Sequence, residues 1–211
     1  MDFNGIGTSY SAYETKNISA KSTNDKKADS TDKSSEKSVY SEISASYEPY
    51  SSTSKVTSAT DRKAIIAQLK SDTEQRMAQM QSLVTKMFAK QGITIGTADD
   101  MWKALANGNF TADADTIAQA KEDISEDGYW GVNQTSDRLL DFAVALSGGD
   151  EENMKKMVSA VEKGFKEATK SWGKDLPSIS NDTYSATMKK FDQWFSDNGY
   201  SAKTSDILGN N

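Results

Sequence analysis

The spacing of hydrophobic residues along this chain changes sharply near residue 60. In residues 1–59 the aliphatic residues are isolated among Ser, Thr, Lys and Asp, and they follow neither a helical nor a strand period. Beyond residue 60, apolar residues recur at steps of three and four, which is typical of one helix face. The pattern therefore predicts a disordered leader over residues 1–59, a helical domain over residues 60–199 and a frayed tail over residues 200–211.

The longest predicted helix spans residues 61–90 and carries a single apolar stripe. Thr60 or Asp61 is its predicted N-cap, and Gly92 ends it. Two interpretations remain open. The stripe packs against the other helices of its own domain, or it binds a partner or a second copy of the chain, because its first turns extend beyond a domain of this size. The members of the stripe are Ile65, Ile66, Leu69, Met77, Met80, Leu83, Val84, Met87 and Phe88.

Glycines and capping residues divide the remaining domain into about five further helices. Thr97 and Asp150 stand at predicted N-caps, where a side-chain oxygen accepts from the free N–H groups of the first turn. The helix that carries Ile117, Ala118 and Ala120 on one side has few apolar residues, so we expect it at the domain surface. With no convincing strand, the predicted fold class is all-α, a single irregular bundle of about six helices.

The amino-acid composition argues against several classes of function. The formal net charge of −6 repels phosphate backbones, so we expect no nucleic-acid partner. The chain has no cysteine and no histidine, which excludes thiol nucleophiles, Ser–His–Asp catalysis and zinc–thiolate sites. Adjacent carboxylates, such as those at 99–100 and 151–152, coincide with predicted helix starts. We therefore predict no enzymatic activity and no cofactor, apart from a possible Ca²⁺ site.

That Ca²⁺ site would lie in residues 123–134, whose sequence partly follows an EF-hand loop. Such a loop has oxygen ligands at positions one, three and five, glycine at six, a backbone carbonyl at seven and a bidentate Glu at twelve. Asp123, Ser125 and Asp127 occupy the first three positions, and Tyr129 offers the carbonyl. Position twelve is Gln134, which cannot supply two anionic oxygens. Any Ca²⁺ affinity of this loop would therefore be weak.

A purely structural interpretation of the same loop competes with calcium binding. Gly128 would adopt a left-handed or otherwise special conformation, and Gly131 would allow close backbone approach. Tyr129 and Trp130 would insert into the core as large anchors.

Several motifs, in order, resemble an uncharacterised family of bacterial all-helical proteins. They are Ser-Glu-Asp-Gly-Tyr-Trp-Gly-Val at 125–132, Thr-Ser-Asp-Arg-Leu-Leu-Asp-Phe-Ala at 135–143 and Leu-Ser-Gly-Gly-Asp at 146–150. Lys-Gly-Phe at 163–165, Gly-Lys-Asp-Leu-Pro at 173–177 and the segment 184–195 continue the resemblance. It covers about two-thirds of the chain and implies a single helical domain, with no activity, substrate or site to transfer.

Three functional hypotheses follow. The leading one is a non-enzymatic protein-interaction or scaffold domain, with a partner or self-association through the helix at 61–90. The alternatives are a weak Ca²⁺-binding domain and an exported or cell-surface protein using flagellar-type export. No segment reaches the roughly 20 apolar residues of a bilayer span, so we predict no membrane span. The predicted location is the cytoplasm, or outside the cell after export without a cleaved secretory signal.

Overall fold

The computed structural model describes residues 58–209, which form seven α-helices and no β-strand. The all-α prediction is confirmed for this part of the chain. The predicted leader, except its last two residues, lies outside the described residues. The helices are α1 (Ala59–Ala89), α2 (Ala98–Asn107), α3 (Ala114–Asp123), α4 (Val132–Ser147), α5 (Glu151–Trp172), α6 (Ser178–Asp197) and α7 (Thr204–Gly209).

Helix α4 lies at the centre of the described residues and packs against α1, α5 and α6. The main core forms where α4, α5 and α6 meet, and the apolar stripe of each helix turns inward there. Aromatic side chains of α6 supply its largest members. The buried residues of this core are Leu140, Ala143, Met154, Val158, Met188, Phe191, Trp194 and Phe195.

Helix α1 packs on α4 through its first turns. Ile65 is only 5 % exposed, and it forms a second apolar cluster with Leu69 and Ala145. The expectation that these first turns extend beyond the domain is therefore wrong. The small Ala145 side chain leaves room for the two aliphatic side chains of α1 to approach α4 closely.

The helix caps follow the sequence signals in some places and depart from them in others. At Thr97, a reciprocal capping box with Asp100 opens α2, and the Asp150 carboxylate accepts from the Asn153 N–H at 2.9 Å to open α5. Both caps were predicted. At the start of α1 the N-cap is Ser58, whose hydroxyl accepts from the Asp61 N–H at 3.1 Å. The predicted cap at residue 60 or 61 therefore lies slightly too far along the chain.

The predicted frayed tail at 200–211 is wrong for residues 204–209, which form α7 on the outside of the main core. Tyr200 stacks on Trp194 with 5.8 Å between ring centroids, and Ile207 and Leu208 pack on the core cluster. The Thr204 N–H donates to the Asp192 carboxylate at 2.7 Å. These tertiary contacts fix a helix that is too short to form by itself.

Within residues 58–209, no helix combines the length and the apolar character that crossing a bilayer requires.

Candidate functional site

The loop between α3 and α4 is a tight series of turns. The Gly128 N–H donates to the Ser125 carbonyl at 3.1 Å, and the Trp130 N–H donates to the Asp123 carbonyl at 2.8 Å. Both loop glycines are needed for space. A Cβ atom at Gly128 would lie 2.3 Å from the Glu122 carbonyl oxygen, and one at Gly131 would lie 2.0 Å from the Ser125 carbonyl oxygen. Gly128 does not have positive φ, so its role is close approach rather than a left-handed conformation.

The candidate Ca²⁺ ligands are mostly occupied by bonds within the chain. The Asp123 carboxylate accepts from the Gln119 amide at 2.9 Å, and the Ser125 hydroxyl donates to the Glu122 carbonyl at 2.7 Å. The side chain of Asp127 is exposed, and the Tyr129 carbonyl accepts from a hydroxyl of α4 at 3.5 Å. Among residues 58–209, no group of three or more acidic side chains is placed to hold a metal ion. The four candidate ligands are therefore close in sequence, but the carboxylates of the loop do not form a metal-binding cluster.

Tyr129 anchors this loop in a cluster of charged side chains. Its hydroxyl donates to the Asp72 carboxylate of α1 at 2.6 Å. The Arg138 guanidinium of α4 lies 3.6 Å from the centre of the ring, and the Arg76 guanidinium of α1 lies 4.0 Å from it. Burial, followed by the bond to Asp72, raises the pKa of Tyr129. The anchor prediction is therefore confirmed for Tyr129, which joins the loop to both α1 and α4.

Sequence reasoning missed the polar partners of Tyr129. Asp72 and Arg76 interrupt the apolar stripe of α1 at a spacing of four residues, and they form an ion pair at 3.5 Å. That spacing was a usable signal, because residues four apart lie on one helix face and an interruption there predicts a polar contact.

Trp130 lines a shallow groove together with residues of α4, α5 and α6. The groove has a volume of about 210 Å³ and a mainly apolar lining with three hydroxyl groups. This volume lies below the roughly 300–1,000 Å³ of typical small-molecule sites. The groove therefore does not provide a convincing ligand pocket. Its lining residues are Trp130, Thr135, Phe165, Ile179, Ser180 and Thr183.

Helix α3 precedes the loop, and it turns its apolar side towards solvent and part of its polar side towards the protein. Its polar side, with Thr116, Gln119 and Asp123, is half-buried. Its apolar side faces solvent, where Ile117 is 44 % exposed and Ile124 is 49 % exposed. No residue of α3 is buried, and α3 packs closely along no other helix of residues 58–209. The surface position predicted for this helix is confirmed, and the direction of its apolar side is a feature that the sequence did not reveal.

Both ends of α3 are fixed to α1 or to the turn that follows α1. Before the helix, the Gln91 side chain accepts from the Thr111 N–H at 2.7 Å and donates to the Thr111 carbonyl at 2.8 Å. Phe110 packs edge-to-face on Phe88 at 5.5 Å between ring centroids. After the helix, Tyr129 bonds to α1 as described above. The solvent-facing apolar side is therefore held in place by contacts at both ends and is not the result of a loose segment.

The perturbed pKa values of the described residues move away from neutrality. Burial and the neighbouring Glu162 carboxylate raise the pKa of Tyr184 to about 12, while the hydrogen bond from Tyr184 lowers the pKa of Glu162. The hydrogen bond from the Thr116 N–H lowers the pKa of Asp113. General acid–base catalysis at pH 7 works best with groups that titrate near that pH. The resolved pKa shifts among residues 58–209 therefore bring no group closer to neutral pH.

Comparison with protein-family models, with curated proteins and with solved structures found no significant match to this chain. The resemblance to an uncharacterised family of bacterial helical proteins stays a prediction.

Proposed function

We propose that this chain is a non-enzymatic interaction domain that binds a protein partner through the apolar side of α3. We define the α3 face as Ile117, Ala120 and Ile124, which recur at steps of three and four and are all exposed. The single observation that supports the proposal is the reversed orientation of α3. A surface helix normally turns its apolar side inward, and here that side is left in contact with water.

Covering the α3 face would release a useful amount of free energy. Fully burying an isoleucine side chain contributes roughly 1.5–3 kcal/mol. Because Ile117 and Ile124 are each about half exposed, a partner that covers them would gain about 1 kcal/mol from each. The fixed ends of α3 reduce the entropy lost on binding, since the helix is already held in position. Such a small apolar patch is suited to a transient contact or to the centre of a larger interface.

Helix α1 is the less favourable binding surface, although the sequence pointed to it. The first turns of its stripe are buried through Ile65 and Leu69, and the last turn is buried through Phe88. The middle of the stripe, from Met77 to Met87, is only partly buried. A partner that covered the whole stripe would have to displace the contacts at both ends, whereas the α3 face is already open. The proposal therefore keeps the predicted function and moves the binding surface from α1 to α3.

A co-purification experiment with the full chain tests the proposal. The bait proteins are the wild type, an Ile117→Ser/Ile124→Ser variant, and a Leu146→Ser control on α4, where Leu146 is 42 % exposed. We expect at least one protein to be recovered from extracts of the cells that make this chain with the wild type and the control. Its recovery should fall at least tenfold with the double variant.

Circular dichroism and thermal melting establish that all three baits are equally folded. If recoveries are equal for the three folded baits, or fall equally for the control, the α3 face is not a partner surface and the proposal is wrong.

A further inference from the structure

We propose that the partner segment covering the α3 face is cationic and amphipathic, with apolar side chains on one side and lysine or arginine beside them. This inference rests on the proposed function and names the chemistry of the partner. Along the α3 face, Ile117 and Ile124 are seven residues apart, a rise of about 10 Å at 1.5 Å per residue. The partner therefore presents two apolar side chains at a similar separation, as two turns of an amphipathic helix do.

The charge around the α3 face supports a basic partner. Residues 113–127 carry six carboxylates and a single lysine, a net charge of −5. The lysine, Lys121, is exposed and lies beside Ile117 and Ile124 at steps of four and three, so the attraction comes from the excess of carboxylates around it. The ten-residue helix is only about 15 Å long, so most of these carboxylates lie within roughly one or two Debye lengths of the face at physiological salt. Their summed field attracts a cation during approach and raises the association rate. The carboxylates are those of Asp113, Asp115, Glu122, Asp123, Glu126 and Asp127.

Charge also argues against two other occupants of the α3 face. A second copy of the chain, pairing through the same face, would bring two strongly acidic segments together, and like charges across an interface disfavour association. The N-terminal residues 1–57 of this chain contain seven lysines and eight carboxylates, so they offer no net positive charge. A basic segment of another protein fits the surface better than either.

Three 18-residue probe peptides test the inference against the full-length chain. One is a Leu/Lys peptide with leucines at helical spacing, one is its Leu/Glu counterpart, and one is the Leu/Lys composition in scrambled order. Fluorescence anisotropy gives the Kd of each peptide. We expect the ordered Leu/Lys peptide to bind at least tenfold more tightly than the other two. Raising the salt from about 0.02 to 0.3 M should weaken it several-fold, because the Debye length shortens.

Variants then separate the apolar and the ionic contributions. Ile117→Ser/Ile124→Ser should weaken the Leu/Lys peptide at least tenfold, and the Leu146→Ser control should stay within twofold of the wild type. Glu122→Gln/Glu126→Gln/Asp127→Asn removes three charges and leaves the isoleucines in place. It should weaken the peptide several-fold and reduce the salt dependence.

Each alternative outcome overturns the inference in a recognisable way. If the Leu/Glu peptide binds as tightly and depends on the same isoleucines, the partner is not cationic, and the proposed function survives. If no peptide depends on Ile117 and Ile124, the inference is wrong, and the co-purification result alone decides the proposed function. If sedimentation shows a dimer that the double variant abolishes, the occupant is a second copy of the chain.

Discussion

Replacing Gly131 by alanine should destabilise the domain through one steric clash. Gly131 is the N-cap of α4 with φ −65° and ψ 161°, a conformation that alanine adopts without strain. The added Cβ atom, however, would lie 2.0 Å from the Ser125 carbonyl oxygen and 3.0 Å from the Gly128 carbonyl oxygen. Ordinary van der Waals contact begins at about 3.4 Å, so the backbone must move by more than about 1 Å.

That movement has a cost that can be worked out from the contacts. The Ser125 carbonyl accepts the Gly128 N–H at 3.1 Å, and the Gly131 carbonyl accepts the Thr135 N–H at 3.0 Å. Weakening these bonds costs about 0.5–1.5 kcal/mol each, and overpacking a tight site costs about 1–3 kcal/mol. These ranges sum to at most about 6 kcal/mol. Because the bonds are weakened and not lost, we expect Gly131→Ala to lower the free energy of unfolding by about 2–4 kcal/mol.

Gly164→Ala is the matched control for this measurement. Gly164 lies inside α5, and a Cβ atom there would meet no atom within 4 Å beyond its chain neighbours and the backbone of its own helix. Alanine in a helix interior is favoured over glycine, so this variant should stabilise the domain by about 0.5–1 kcal/mol. Urea unfolding followed by tryptophan fluorescence and circular dichroism gives both values. A Gly131→Ala variant within about 0.5 kcal/mol of the wild type would refute the described backbone of the loop.

Three further predictions concern the polar contacts and the candidate Ca²⁺ loop. Tyr129→Phe removes the hydroxyl that donates to Asp72 and should cost about 1–2 kcal/mol in urea unfolding; a neutral result would show that this bond contributes nothing. Tyr184→Phe should cost about 0.5–1.5 kcal/mol near pH 7. Burial and the Glu162 carboxylate raise the pKa of Tyr184 in the folded chain from its ordinary value of 10.0 to about 12. The contribution of Tyr184 is therefore complete below pH 10 and is lost as the pH rises towards 12, so the difference between wild type and variant should shrink over that range. A constant difference would contradict this buried environment beside Glu162. Calcium at about 1 mM should leave the melting temperature unchanged, because binding at residues 123–134 would have to break the existing bond of the Asp123 carboxylate. A clear upward shift would show that the chain binds Ca²⁺ and would contradict this expectation.

Local sequence signals were sufficient to predict most of the helices. Glycines at helix ends, such as Gly148 and Gly173, have positive φ and stop their helices where expected. The caps at Thr97 and Asp150 follow from side chains that bond to their own first turn. Such features depend on residues that are close in sequence, so they can be predicted from the sequence alone.

Features that depend on tertiary contacts could not be predicted in the same way. Helix α7 has six residues, too few for a periodic pattern, and its position depends on contacts with the aromatic side chains of α6. The role of Tyr129 as an anchor was predicted, but its partners on α1 lie 57 residues earlier in the chain at Asp72. Helical periodicity identified the apolar residues of α3. It could not show that the contacts at both ends of α3 turn those residues towards solvent.

The most direct test of the account is the solvent exposure of individual isoleucine methyl groups in the full-length chain. Methyl-labelled NMR spectra with a soluble gadolinium probe report this exposure as relaxation enhancement. We expect strong enhancement at Ile117 and Ile124 and little at Ile65, which is 5 % exposed. Enhancements at Ile117 and Ile124 as small as that of Ile65 would mean that the apolar side of α3 is already covered, which would contradict the proposed binding surface.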